Sequence, residues 1–134
     1  MYTLWIFFIL AGIGYINAWY LWHQHRNTRP LVCPFGSDCD AVVGSKWSRI
    51  GGVRNEVAGM IMYALLATML AIGILIPAIT AWMILGVVVV TFIGFLASLF
   101  LTGVQIFVIK EWCFYCLLSS VINIVLFLLV LAML

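Results

Sequence analysis

The sequence contains very little charge. Of its 134 residues only 7% are charged, whereas 67% are hydrophobic. Water-soluble globular domains are about half apolar and about a quarter charged, so this composition excludes that class. We expect an integral protein of the lipid bilayer with no nucleic-acid partner.

Charged residues are absent from four long apolar stretches. About twenty apolar residues cross a bilayer as a helix, because lipid cannot satisfy unpaired backbone groups. We therefore predict an all-α membrane protein, a single domain over 1–134 that forms a bundle of four transmembrane helices. The first span lacks the basic start and the cleavage site of a signal peptide, so we expect it to be retained. The predicted spans are about 1–22, 57–79, 81–109 and 113–134.

Most of the polarity lies in one long first loop, about 23–56. Because successive spans alternate in direction, this loop and the turn around Lys110 share one face of the membrane. Residues 40–50 show apolar positions at helical spacing, which predicts a short amphipathic helix in the interface, ended by Gly51 and Gly52. The loop holds five of the six basic and three of the four acidic residues: Arg26, Arg29, Lys46, Arg49, Arg54, Asp38, Asp40 and Glu56.

Small and amide residues within the spans are candidates for helix packing. Amides in membrane helices more often bond a neighbouring helix than a ligand, and small residues let two backbones approach closely. We expect the first role for Asn17, Gln105 and Asn123. The small residues in question are Gly12, Gly14, Gly59, Gly94, Ser98 and Gly103.

The four cysteines form two pairs. Cys33 and Cys39 lie in the long loop, while Cys113 and Cys116 form a Cys-x-x-Cys motif at the start of the fourth span. The topology places both pairs at one face, where two dithiols can pass electrons by thiol–disulfide exchange. A helix N-terminus and the Cys-x-x-Cys spacing both favour a thiolate.

Three other interpretations of the cysteines stay open at this point. They are ordinary small apolar side chains in many membrane helices. Four thiolates also bind structural zinc, but paired zinc ligands are usually separated by two to four residues, and five separate the loop pair. The third interpretation is a purely structural disulfide between loop and helix.

The relay needs a terminal electron acceptor. The sequence contains no haem ligand pair and no flavin or nicotinamide fingerprint, and we expect no metal. In a bare helix bundle the natural acceptor is a lipid-soluble quinone such as ubiquinone or menaquinone. We expect it beside Cys116, with Asn55 donating to a ring oxygen, while the loop pair exchanges with a soluble thioredoxin-like dithiol protein.

The segment from Cys39 to Trp47, Cys-Asp-Ala-Val-Val-Gly-Ser-Lys-Trp, adds a more specific signal. With the four spans, the Cys-x-x-Cys motif and the spacing of Asn55, Gly59 and Tyr63, it resembles the vitamin K epoxide reductase family. The resemblance covers nearly the whole chain.

The resemblance implies an order for the relay. Cys33 would exchange with the partner protein, and Cys39 would form a transient disulfide with Cys113. Cys116 would be the thiolate that faces the quinone, and Asn55 would donate a hydrogen bond to a quinone oxygen.

Further residues take supporting roles by the same resemblance. Ser45 would help order the loop helix over the site, and Gly59 and Tyr63 would support the quinone pocket. Ser120 stands where vertebrate members have a tyrosine at the quinone, so it is the expected contact there. Many bacterial members carry a fused thioredoxin-like domain, which this chain lacks, so we expect a separate partner protein.

We therefore expect a quinone-dependent thiol–disulfide oxidoreductase that generates disulfides. One alternative is a quinone or vitamin K epoxide reductase, in which the same relay makes the hydroquinone. Another is a small structural or transport protein, although a proton-coupled transporter needs a membrane-embedded carboxylate and no predicted span contains one.

The membrane orientation has two indications. All six lysines and arginines lie on the cysteine face, which the positive-inside rule assigns to the cytoplasm. Family members usually turn their cysteines to the periplasm or the lumen. Intracellular disulfides are common in hyperthermophiles, and an inverted member from such an organism would satisfy both indications.

Overall fold

The computed structural model describes residues 2–27, 46, 49–50, 52–110 and 113–134. In these residues four helices are long and apolar enough to cross a membrane, so the predicted all-α membrane bundle is confirmed. The helices are α1 (Tyr2–Arg26), α2 (Asn55–Leu75), α3 (Thr80–Val104) and α4 (Phe114–Met133). They are joined by strands β1 (Arg49–Ile50) and β2 (Val53–Arg54), a 3₁₀ turn (Pro77–Ile79) and a π-helical turn (Gln105–Ile109).

Two helix boundaries differ from the sequence prediction. Helix α1 continues to Arg26, about one turn beyond the predicted limit, because polar residues at a membrane surface can extend a helix as well as end it. Helix α2 begins at Asn55 and ends at Leu75. Its end precedes Pro77, because a proline disfavours helical backbone in the residue before it, and Ile76 is extended.

The four helices pack as an antiparallel ring. Two contacts in each pair establish the direction of neighbouring helices. Gly14 and Ala18 of α1 meet Tyr63 and Gly59 of α2, in reverse order along the chain. Met62 and Gly73 of α2 likewise meet Gly94 and Met83 of α3. Leu21, near the end of α1, packs with Cys113 at the start of α4. The start of α2 and the end of α3 therefore lie at the same end of the bundle as Cys113.

The two halves of the bundle differ in packing. The half that contains the N-terminus and the Pro77 turn is filled by a continuous apolar core, in which Phe7, Leu66 and Leu126 are fully buried. Large apolar side chains such as Trp5 and Leu128 are exposed on the outside, as expected where lipid replaces water. The half that contains Cys113 is less completely filled and encloses a cavity.

Close helix contacts use some of the predicted small residues. A Cβ atom at Gly14 would lie 2.5 Å from the Tyr63 ring, and one at Gly94 would lie 2.8 Å from the Met62 sulfur. The expectation is wrong for Gly12 and Gly103, where nothing in the described part of the chain lies within 4 Å of such an atom. Glycine content alone does not reveal which face of a helix meets a neighbour.

A short hairpin precedes α2. Arg49 pairs with Arg54 and Ile50 with Val53 in antiparallel register. Gly52 has a φ of 82°, a conformation that glycine adopts readily. The amphipathic helix predicted for 40–50 is therefore wrong at its end, because Arg49 and Ile50 form a strand that pairs with Val53 and Arg54. Residues 40–45, 47 and 48 lie outside the described part of the chain.

The contrast between Gly14 and Gly12 allows a stability test. We expect Gly14→Ala to lower the free energy of unfolding by about 1–3 kcal/mol, because the new methyl group overpacks against Tyr63. Gly12→Ala, on the same helix, is the matched control and should be neutral or slightly stabilising. Thermal unfolding in detergent measures both. Equal effects of the two substitutions would contradict the packing described here.

Candidate active site

A cavity of about 620 Å³ lies in the half of the bundle that contains Cys113. Its size suits a drug-sized or cofactor-sized molecule, and its walls combine many apolar side chains with a few polar groups, as ligand pockets usually do. Helix α4 contributes one wall through Cys116 and the serines below it. The lining residues that carry polar or thiol groups include Asn55, Glu56, Tyr63, Ser98, Gln105, Cys116, Ser119, Ser120 and Asn123.

Cys113 and Cys116 meet at the N-terminus of α4. Cys113 is the N-cap residue, and its sulfur accepts a hydrogen bond from the Cys116 backbone N–H at 3.2 Å. Cys113 is completely buried, whereas Cys116 lines the cavity. The two thiols therefore have different surroundings, with Cys113 behind the wall and Cys116 at its surface.

This geometry favours a thiolate on Cys113. The pKa of the Cys113 thiol is lowered, chiefly because the Cys116 side chain donates a hydrogen bond to it. Burial opposes this change, and the backbone N–H groups of Cys116 and Tyr115 add to it. A helix N-terminus further stabilises negative charge. When Cys113 is ionised, the remaining proton of the pair is on Cys116, the residue that faces the cavity.

Cys113 is positioned by a π-helical turn and by Lys110, whose backbone adopts the left-handed helical conformation. Lys110 ends the π-helical turn with a φ of 59°, an unusual conformation for a residue with a side chain. The π-helical turn begins at Gln105, whose side-chain oxygen accepts a hydrogen bond from the Cys113 backbone N–H at 3.1 Å. Such turns occur often at functional sites. Here the turn directs an amide from α3 to the start of α4.

Helix α1 holds the same part of α4 from the other side. The Asn17 side-chain amide donates hydrogen bonds to the Tyr115 carbonyl oxygen at 2.9 Å and to the Ser119 hydroxyl at 2.7 Å. The Tyr20 ring lies 5.1 Å from the Tyr115 ring. These contacts join α1 to α4 within the buried interior, so they fix the rotation of the helix that carries Cys116.

A hydrogen-bonded chain crosses the deep end of the cavity. The Tyr63 hydroxyl donates to the Asn123 side-chain oxygen at 2.6 Å, and the Asn123 amide donates to the Ser98 hydroxyl at 2.7 Å. Three helices are thereby connected through side chains. Asn17, Gln105 and Asn123 all bond one helix to another, so the expectation for these amides is confirmed.

A buried ion pair lies at the start of α2. Arg54 Nε and a Glu56 carboxylate oxygen are 2.5 Å apart, and the two side chains are 11% and 4% exposed. Because α2 begins at Asn55, Glu56 belongs to the first turn of a membrane-spanning helix. The prediction that no membrane span contains a carboxylate is therefore wrong. The predicted start of the span, residue 57, missed Glu56 by one position.

The expected site residues fall into two groups. Cys33, Cys39 and Ser45 lie outside the described part of the chain. The structure brings five of the others to one cavity: Asn55, Gly59, Tyr63, Cys116 and Ser120. Cys113 lies directly beside them.

Ser120 has its hydroxyl engaged within the protein. It donates to the Cys116 carbonyl oxygen at 3.1 Å and accepts from the Thr102 hydroxyl at 3.2 Å. A serine hydroxyl has one proton, so in this arrangement Ser120 turns only lone pairs to the cavity. A quinone oxygen is itself an acceptor, and a hydrogen bond from Ser120 to it would require the hydroxyl to leave Cys116.

Sequence reasoning missed two members of the site. The sequence prediction places Glu56 in the loop, although its position directly after the expected site residue Asn55 indicates that it lies near the site. Gln105 was recognised only as an amide that joins helices, and its contact with Cys113 depends on the π-helical turn. Within the described ranges, no three histidine, cysteine, aspartate or glutamate residues are grouped as metal ligands.

The origin of the Cys113 thiolate can be tested by titration. With Cys33 and Cys39 replaced by serine, Cys116→Ala should raise the pKa of the Cys113 thiol, because the largest stabilising hydrogen bond is lost. Cys116→Ser is the matched control and should retain most of the effect through its hydroxyl. Ultraviolet absorbance of the thiolate against pH measures the shift. An unchanged titration in Cys116→Ala would contradict this assignment.

A comparison with protein families agrees with the site. Residues 5–131 match the vitamin K epoxide reductase family, which is nearly the whole chain. The match includes all four spanning helices, the cavity and both cysteine pairs. Family membership supports an oxidoreductase, with quinone-linked disulfide or epoxide reductase chemistry. The chain belongs to the vitamin K epoxide reductase family, and it is an integral membrane oxidoreductase.

Proposed function

We propose that this protein generates disulfides by oxidising a thioredoxin-like dithiol partner and reducing a membrane quinone. The observation that carries the proposal is the position of Cys116. It lines an apolar cavity of about 620 Å³ and lies within hydrogen-bonding distance of the buried Cys113. One thiol of a dithiol pair is thus presented to a space that accommodates a quinone ring.

The surroundings of the cavity support a ligand that arrives from lipid. Ile61, Leu65 and Ile93 line the cavity and are also exposed on the outer surface of the bundle. The cavity therefore reaches the surface between α2 and α3, at a face that meets hydrocarbon. A hydrophobic quinone would enter by this side without passing through water. Asn55, at the mouth, is the proposed donor to a quinone oxygen.

The proposed reaction proceeds in three exchanges. The partner dithiol reduces the disulfide between Cys33 and Cys39, and becomes a disulfide itself. The loop dithiol then reduces the disulfide between Cys113 and Cys116 by thiol–disulfide exchange. In the last exchange the Cys116 S–H bond breaks and an S–S bond forms with the ionised Cys113. Two electrons, the Cys116 proton and one proton from the solvent pass to the quinone to give the hydroquinone.

The direction of this chemistry follows from relative redox potentials. We favour disulfide formation over epoxide reduction because of the residue at position 120. Vertebrate members place a tyrosine there, whereas the Ser120 proton is engaged by the Cys116 carbonyl oxygen. The donor associated with that position is thus missing, which favours disulfide formation over epoxide reduction.

A transport function has one new argument in its favour, since Glu56 is a carboxylate in a spanning helix. It lies in the first turn of α2, at the membrane face, and it is paired with Arg54. A proton-coupled exporter uses a carboxylate that the substrate and the proton occupy in turn. The pairing of Glu56 beside two thiols favours redox chemistry instead.

Replacement of the four cysteines tests the proposal. Purified protein in nanodiscs, supplied with a reduced thioredoxin-like donor and a short-chain ubiquinone, should reduce the quinone. Serine at Cys33, Cys39, Cys113 or Cys116 should each lower the turnover to background, because each exchange needs its own sulfur. Loss of quinone absorbance reports the reaction. If all four variants keep their activity, the relay does not exist.

Thr68→Ala is the control for this series. The Thr68 hydroxyl donates to the Ala64 carbonyl oxygen of its own helix, on an exposed face of α2. Its removal should leave quinone reduction unchanged.

Cys113→Ser should also accumulate a mixed disulfide between a loop cysteine and the partner, since the next acceptor is missing, and electrophoresis without reductant would detect it.

We further propose that the cysteine face meets the cytoplasm. Arg26, Arg49, Arg54 and Lys110 all lie at the end of the bundle that contains Cys113, and the sequence has no lysine or arginine at the other end. The positive-inside rule assigns such an end to the cytoplasm. Intracellular disulfide formation is the corresponding role.

Labelling of intact cells tests the orientation. A membrane-impermeant maleimide should leave Cys33 unmodified, whereas a membrane-permeant maleimide should modify it. The test uses a variant that retains Cys33 alone, with mass spectrometry as the readout. Ready modification by the impermeant reagent would place the cysteines outside.

A further inference from the structure

We propose that Glu56 accepts the proton that the Cys116 thiol loses when the dithiol reduces the quinone. The inference rests on the proposed function and adds to it the residue that handles the proton. The relay of four cysteines transfers electrons, but each turn of the last exchange also moves two protons inside a membrane. A thiol that faces an apolar cavity needs a base, because water is scarce there.

The position of Glu56 meets this need. The residue is only 6% exposed, and it lines the same cavity as Cys116. One carboxylate oxygen bonds Arg54, which forms the start of the helix at the membrane face. The carboxylate thus connects the thiol cavity with the polar end of the bundle.

The burial of Glu56 is costly and calls for a function. Removing a carboxylate and a guanidinium from water has a large free-energy cost for each ion, which their attraction only partly offsets. Ionisable side chains within membrane spans are accordingly rare and usually functional. A glutamine at position 56 would also accept a hydrogen bond from Arg54, without the charge. The carboxylate therefore supplies one property that holding Arg54 does not require, which is the ability to accept a proton.

The electrostatics of the site favour proton transfer in this direction. The negative charge of Glu56 opposes ionisation of Cys113, which is already stabilised by its hydrogen bonds. A second thiolate on Cys116 would place three negative charges close together. Transfer of the Cys116 proton to Glu56 removes one of them at the moment when the thiolate forms. Like charges in a buried site make such transfers favourable.

In the proposed step the Cys116 S–H bond breaks, and the proton binds the Glu56 carboxylate. Cys113 and Cys116 form an S–S bond, and the two electrons of the dithiol reduce the quinone. Glu56 then gives its proton to one quinone oxygen, and the second proton comes from water at the polar end. Glu56 returns to its carboxylate form beside Arg54.

The other ionisable groups around Glu56 belong to three elements. Arg54 of β2 is the cation. Cys113 and Cys116 from the start of α4 are the two thiols, and Tyr63 of α2 lines the deep end of the cavity. The Tyr63 hydroxyl donates a hydrogen bond to the Asn123 side-chain oxygen, so its proton is already engaged. Among these groups Glu56 is the carboxylate at the cavity surface.

A single-turnover experiment tests the inference. Pre-reduced protein is mixed with a short-chain ubiquinone, and quinone reduction is followed. Glu56→Gln should slow this step by about 10²-fold, the lower range for loss of general acid–base catalysis. Exchange of disulfides with the partner should stay within about twofold, because no buried base is needed there. Glu56→Asp should restore part of the rate, and Thr68→Ala is the control.

A titration without quinone gives a second readout. Removing the opposing charge in Glu56→Gln should lower the pKa of the Cys113 thiol, which thiolate absorbance would detect.

Two results would overturn the inference. One is quinone reduction by Glu56→Gln at the wild-type rate. The other is an equal loss of quinone reduction, partner exchange and thermal stability in both Glu56 variants, which would indicate a structural ion pair. Failure of the proposed function is different, because then the wild-type protein itself would reduce no quinone.

Discussion

Lipid offers no hydrogen-bond partners, and this constraint organises the whole molecule. Every polar group inside the bundle must find a partner in the protein. One half of the bundle meets the constraint with an apolar core around Phe7 and Leu126. The other half concentrates its polar side chains around one cavity, where Asn17, Asn123 and Gln105 bond across helices. The cysteine pair of α4 lies in this second half.

The same constraint separates the roles of two neighbouring cysteines. The first turn of α4 has backbone N–H groups without helical partners, and the Cys113 sulfur accepts one of them as the N-cap. Cys113 is thereby both buried and predisposed to be a thiolate. Cys116, one turn further, carries the proton and faces the cavity. The two thiols therefore have different surroundings, and this difference suits the proposed transfer of electrons from the pair to a quinone.

The family match identifies the class of protein, and the geometry describes the site of this particular chain. The match covers residues 5–131 and identifies an oxidoreductase family. The geometry adds features of this particular chain, such as the engaged Ser120 hydroxyl and the paired carboxylate of Glu56. In the proposed reaction the cysteines carry electrons, and we propose Glu56, a buried carboxylate at the cavity, as the residue that carries the proton.

The sequence by itself determined the four spans, because a run of about twenty apolar residues has one stable arrangement in lipid. It also determined that Cys113 and Cys116 open the last helix. Only the tertiary structure decided that Glu56 belongs to a spanning helix and that Gln105 reaches Cys113. Both depend on one-residue details of helix ends and on a neighbouring helix, which local patterns do not contain. The prediction of a membrane span adds the hydrophobicity of about twenty residues, so a one-residue error at its end does not change the result. The composition of a site changes with each such error.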